Sequence, residues 1–365
     1  MVFFRTIEYL AILMKNIFAI SALLAALALQ GCTGSKPGSG QESPERTVVA
    51  YVTSWSSEIP APSVVTHINY AFGHVNSTFD GVRVDNPDRL RAIVALKSVK
   101  PSLKVLVSVG GWGSGNFSEM AADQALRESF AASCLALVLE YGLDGIDIDW
   151  EYPTSSAAGI SSSPDDTGHF NLLIAQLRET LGSELLLTMA SEAGADFVDF
   201  RTVAPLLDFV NIMSYDMGWN GKEHSALYRS PLSGDCTSDE AVKAHIKAGV
   251  PAEKLVMGVP FYGRGAEEFA AGLDYREVAA ALEAAPGFSE CWDETAMVPY
   301  IADASGRCVF SYDNVRSLEI KCDYILSKGL KGAMYWDYSG DNCTSFDGCS
   351  PSAGDLATTL ARRLL

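Results

Sequence analysis

Charge is scarce in this chain, and what there is leans one way. Only 20% of the 365 residues are charged, 27 Lys and Arg stand against 45 Asp and Glu, and the formal net charge is −18. A polyanion would meet an acidic field on every approach, which excludes nucleic acid as a partner and favours a neutral or cationic substrate. Histidines number five and are scattered without ligand spacing, and no CxxC pair or Cys/His cluster occurs, so no metal site is expected. Nor is there a cofactor motif. The glycine-rich stretch Gly110-Gly111-Trp112-Gly113-Ser114-Gly115 would need glycine at position 116 to complete GxGxxG from Gly111, and Asn116 stands there.

A long apolar run is missing as well. Ile17 to Leu29 follows Lys15 and leads into Gln30-Gly31-Cys32, which is too short to span a bilayer comfortably. A basic residue, a short apolar stretch, small residues and a cysteine form the pattern of a bacterial lipoprotein signal, residues 1–31, cleaved so that Cys32 carries the lipid. The other reading is an uncleaved anchor that includes apolar Val2–Leu13. Residues 32–46 are rich in Gly, Ser and Pro and read as a flexible tether. The expectation is a monomeric domain, residues 47–365, held on the bacterial cell envelope through its lipid alone. An odd number of cysteines, seven, follows Cys32. Cys343–Cys349 is the first choice for a disulfide, Cys291–Cys308 the second, and Cys134 reads as core.

The hydrophobic fraction is 48%, enough for a large core. Eight short Val- and Ile-rich runs start near Val48, Ile68, Val105, Ile146, Leu185, Val210, Val256 and Ala333. Helical patterns such as 88–99, 121–141 and 169–180 separate them. That alternation predicts βαβ units and a parallel sheet, and eight units predict an α/β fold of the closed (β/α)8 TIM-barrel type. A doubly wound open sheet is the alternative. The last interval is far too long for one connection, so a small inserted subdomain is predicted at about 265–310, between strands seven and eight.

Residues 144–153 read DGIDIDWEYP. Asp147, Asp149 and Glu151 alternate with Ile146, Ile148 and Trp150, and alternate residues of a strand share a face. The acids therefore point into the barrel, with Glu151 last, at the carboxyl end where barrel active sites lie. Like charges crowded in a poorly solvated interior push at least one pKa upward. A carboxylic acid protonated near neutral pH is what glycosidic cleavage requires. Glu151 is assigned as that acid, with Asp147 and Asp149 sharing a proton behind it. A calcium site is the bland alternative, and it would place its ligands on a glycine-bearing turn instead of an Ile-flanked strand.

These residues resemble family 18 glycoside hydrolases, the chitinase family, whose DGxDxDxE signature is matched by Asp144 through Glu151. The likeness extends over roughly residues 47–341. Ser108, Gly110 and Gly111 fit the family's SxGG pattern, followed by Trp112, and Tyr152 and Pro153 resemble its chitinase branch. Met213, Tyr215 and Asp216 resemble its MxYD motif, and strand parity independently puts Met213 and Tyr215 on one face. Tyr262, Arg264 and Trp336 are similar to its sugar-binding positions. Tyr51, Trp55, Tyr70 and Phe72 match aromatic positions of its cleft, though for Phe72 packing is the more ordinary role. The resemblance implies a substrate-assisted retaining mechanism on β-1,4-linked N-acetylglucosamine, in which the sugar's own acetamido oxygen attacks, Asp149 stabilises the oxazolinium, and Tyr215 reaches the acetamido group. It implies no cofactor. Two other functions are weighed: an endo-β-N-acetylglucosaminidase on N-glycan chitobiose cores, and a sugar-binding protein without catalysis. The stretch Met217-Gly218-Trp219-Asn220 is shorter than the family's usual form.

Overall fold

The computed structural model describes residues 46–341 and 354–365. Cys32, residues 1–45 of the expected signal and tether, and the Cys343–Cys349 pair lie outside them.

Eight parallel strands form a ring: β1 (Thr47–Thr53), β2 (His67–Val75), β3 (Lys104–Gly110), β4 (Gly145–Asp149), β5 (Leu186–Glu192), β6 (Phe209–Met213), β7 (Leu255–Pro260) and β8 (Gly332–Trp336). Each pairs with the next, and β8 and β2 both pair with β1, so the sheet closes on itself as a (β/α)8 barrel. Most of the strands read as apolar runs because both faces are covered, whereas β4 alternates its acids with isoleucines. Outward positions such as Val48, Val105, Val107, Ile146, Ile148 and Tyr335 join the large core that also takes in Phe130, Phe170, Leu173 and Leu318 from the surrounding helices. A second, smaller core of inward residues fills the ring, with Val49, Tyr51, Phe209, Val256 and Met334 among them.

The helix expected over 121–141 divides in two, Phe117–Ala122 and Gln124–Tyr141. Asp123 is the reason: its carboxylate accepts the Leu126 N–H at 3.1 Å and caps the second helix. Trp55 lies beyond the end of β1, and β4 ends at Asp149, two residues before Glu151.

Between β7 and β8 the strands Tyr262–Gly265, Gly272–Asp274, Ser289–Asp293, Val298–Ala302 and Cys308–Ser311 make a five-stranded antiparallel sheet. Helix Tyr275–Ala284 accompanies it, started by a capping box between Asp274 and Glu277. The sheet has its own small core of Val278, Ile301, Val309, Phe310 and Tyr312. Within it Cys291 and Cys308 are both free, contrary to the second expected disulfide. Strand Val298–Ala302 separates them, pairing Tyr300 with Cys291 and Ala302 with Cys308. Two strand spacings of about 4.8 Å each exceed the reach of a disulfide.

Candidate active site

Asp147 lies at the centre of the ring with no solvent exposure. Its Oδ1 accepts from Thr188 Oγ1 and Asn211 Nδ2, and its Oδ2 from Ser108 Oγ at 2.8 Å and the Tyr51 hydroxyl at 2.9 Å. Burial raises its pKa, and these four donors work in the opposite direction. Asp149, one step toward the mouth, has no such help. Burial, then Glu151, then Asp147 push its carboxyl well above the usual range, and Oδ1 is buried with no hydrogen-bond partner. Both aspartates thus hold a proton more readily than a free carboxyl does, and burial with like charge acts more strongly on Asp149.

Glu151 sits beyond the end of β4, partly open to the mouth. Burial is the main cause that raises its carboxyl to about 7, the charge of Asp216 adds to this, and a hydrogen bond with Tyr152 opposes it. It is thus a protonated acid at slightly acid to neutral pH, with a carboxyl group behind it.

Tyr215 follows β6, and burial foremost keeps its phenol protonated, with Tyr262, Asp149, Glu151 and Asp216 acting the same way. Its O–H points to Met334 Sδ at 3.8 Å, a weak acceptor that leaves the hydroxyl free to favour a better one. Asp216, in a left-handed conformation with φ 55°, receives a two-point ion pair from Arg264, Nε to Oδ1 at 2.9 Å and Nη2 to Oδ2 at 3.1 Å. Burial would raise the Asp216 carboxyl, but His224 and Arg264 outweigh it and hold it well below the usual range. Arg264 also lies over the rings of Tyr262, at 4.7 Å, and Trp219, at 5.2 Å.

The aromatic floor is continuous. Trp336 stacks on Phe72 with centroids 5.6 Å apart and contacts Tyr51 and Trp55. Met213 packs on the same cluster. Cavities open on both sides of this stack. One, of about 360 Å³, is lined by Trp336, Tyr262, Arg264 and Asp337 and by Asp274 and Glu277 of the inserted subdomain. The other, of about 380 Å³, is lined by Phe72, Trp55, Gly111, Trp112, His74 and Asp85. Opposite them Trp112 meets Tyr152 edge-on, and Tyr152 stacks on Phe197 at 5.0 Å. Tyr70 is different: it faces outward into the helix-covered core and takes no part in the cleft. Among the described residues no group of three or more His, Cys, Asp or Glu side chains is placed to share a metal ion.

The sequence model of glycosyl hydrolases family 18 matches residues 47–341. The chain belongs to glycosyl hydrolases family 18. Chitinase A1 of Niallia circulans is 31% identical to it, over 88% of this chain and 59% of that relative, so the chain spans under two thirds of that protein. Chitinase B of Serratia marcescens is 28% identical over 82% of this chain and 79% of its own length. Among solved structures, a family 18 N-acetylglucosaminidase from Paenibacillus barengoltzii superposes with a TM-score of 0.76 at 34% identity, covering 88% of this chain and all of that one.

Several residues of this family 18 cleft had no distinguishing mark in the sequence. Asn211 and Thr188 reach Asp147 from β6 and β5, and only inward parity could have flagged them. Phe197, which stacks on Tyr152, lies in a connection without periodicity. His224 meets Asp216 from eight residues further along the same loop, a distance at which spacing carries no signal.

Proposed function

We propose that this protein hydrolyses β-1,4-linked N-acetylglucosamine, in chitin or chitooligosaccharides, with Glu151 as general acid and base. The supporting observation is a carboxyl held near pKa 7 at the barrel mouth with a second carboxyl, Asp149, buried behind it and raised well above the usual range. Glu151 can protonate the leaving oxygen as the glycosidic bond breaks and afterwards take a proton from the incoming water. The ionised carboxylate beside Glu151, Asp216, has both oxygens engaged by Arg264 and is not free as a nucleophile, which suits attack by the substrate's own acetamido oxygen. Asp149 would then orient and stabilise the oxazolinium, with the Tyr215 hydroxyl donating to the acetamido group. Trp336 at the mouth offers a face for the apolar side of the sugar ring.

Proton NMR of products from an N-acetylglucosamine oligomer tests the chemistry, with the β-anomer expected first. Initial α-anomer would contradict acetamido participation. Glu151→Gln is expected to lose at least about 10³-fold in kcat while its affinity for the oligomer, measured by calorimetry, stays within a few-fold. Full turnover in that variant would remove the assignment of the acid. Preferential release of glycan from an N-glycoprotein would move the substrate to the chitobiose core. We also propose that Cys32 carries a lipid which holds the domain on the cell envelope; a Cys32→Ser protein still recovered in the membrane fraction would end that reading.

A further inference from the structure

Glu223, His224 and Ser225 are consecutive, wholly buried and polar, an expensive arrangement unless each is engaged. Two of them anchor the segment. Glu223 gives its N–H to Leu232 O, and its Oε2 accepts from Ser230 Oγ at 3.3 Å. Ser225 Oγ donates to Asp313 Oδ2 at 2.6 Å, and Ser225 O accepts from Lys321 Nζ at 2.7 Å. The main chain of His224 is fixed too, its N–H bonded to Ser311 Oγ at 3.2 Å and its carbonyl to the Met217 N–H at 3.0 Å.

The imidazole held in this way points at one residue. Nδ1 receives the main-chain N–H of Asp216 at 3.4 Å and lies 3.5 Å from Asp216 Oδ1. The ring leans on Tyr262 at 5.4 Å, and Nε2 is buried with no partner. All the polar contacts of this ring therefore go to Asp216, whose backbone is left-handed and would be free to relax without them. Arg264 grips the same carboxylate from the inserted subdomain. We propose that His224 is a positioning residue for glycosidic cleavage: its Nδ1, held against Asp216, fixes that residue so that its charge faces Glu151. The proposal rests on Glu151 being the acid.

The groups that face Glu151 are Asp149, Tyr152, Asp216 and Tyr215, and those that face Asp216 are His224, Arg264, Tyr262, Tyr215 and Glu151 itself. Loosening Asp216 takes away one upward influence on Glu151, so the acid loses its proton at lower pH.

Two variants of the full chain decide the matter. His224→Phe keeps a ring on Tyr262 and removes only the nitrogens. His224→Asn returns a donor and an acceptor near the place of Nδ1. With an N-acetylglucosamine oligomer as substrate, the Phe variant is expected to lose about tenfold in kcat with KM within twofold, and its alkaline limb should move to lower pH. The Asn variant is expected to stay within about twofold of the parent in kcat and to keep the parent's limb. A folded Phe variant with the parent's kcat and pH profile overturns the proposal, as does an Asn variant as impaired as Phe. If the Phe variant fails to fold, as read by circular dichroism, the Asn variant alone decides by the same criterion. A parent protein without turnover is a different failure: it overturns the functional reading and this proposal with it.

Discussion

At the scale of single residues, burial in the folded state keeps Glu151 protonated where a carboxyl in water would ionise. A carboxyl raised from 4.5 to about 7 binds its proton more tightly folded than unfolded. Its contribution to stability is therefore complete below pH 4.5 and is lost as pH rises through 7. Above that the ionised group costs on the order of 3 kcal/mol. Glu151→Gln has no such group, so its melting temperature should overtake that of the parent increasingly between pH 5 and pH 8. Thermal unfolding at those two values checks this, and a constant difference would mean that Glu151 titrates normally. The alternation of Asp147, Asp149 and Glu151 was legible in the sequence because a period of two is all that is needed to assign a face. The hydrogen bonds that hold Asp147 were not, since their donors come from β1, β3, β5 and β6, dispersed from position 51 to position 211.

At the scale of elements, the eight strands were legible for a simple reason: each is buried on both faces and carries a short Val-, Ile- or Leu-rich stretch, broken in β4 only by its alternating acids. What periodicity could not foresee was the exact end of β4 or the break at Asp123, where one cap decides the boundary. The two glycines that end β3 and follow it set a tighter condition than any pattern. A Cβ on Gly110, where φ is 132°, would lie 1.9 Å from the Asp149 carbonyl oxygen, and one on Gly111 would lie 2.7 Å from the Phe72 ring. Gly110→Ala must push β3 from β4 at the level of the acids. It is expected to cost on the order of 3 kcal/mol, measured by urea unfolding, and most of the activity. A loss under about 1 kcal/mol would show that the strand ends can part without harm.

At the scale of the whole molecule, the loop after β6 and the helix that precedes β8 are joined by buried charge. Lys321, on helix Val315–Lys328, bonds to Asp313 at 2.7 Å with neither side chain exposed, and both reach Ser225 in the loop after β6. Lys321→Met leaves Asp313 buried without its cation and should destabilise by about 3–5 kcal/mol. Lys321→Met with Asp313→Leu should recover much of that loss. If the single variant unfolds in urea like the parent, the pair is not a structural link. The insertion itself was legible as an interval too long for one connection. Its share of the cleft was read from the resemblance, through Tyr262 and Arg264; the grip of Arg264 on Asp216 was not, because 48 residues separate the two.

Asp147 ends four hydrogen bonds that come from four different staves of the ring, and none of these partners belongs to β4. One carboxyl group thus cinches the barrel's waist and at the same time stands beneath Asp149 and Glu151 on the same strand and its extension. An engineer cannot retune the site from below, since any change there loosens the vessel that holds it. New specificity has to be written from the rim, in Trp55, Trp112, Trp219 and the inserted sheet, where alterations leave the waist untouched.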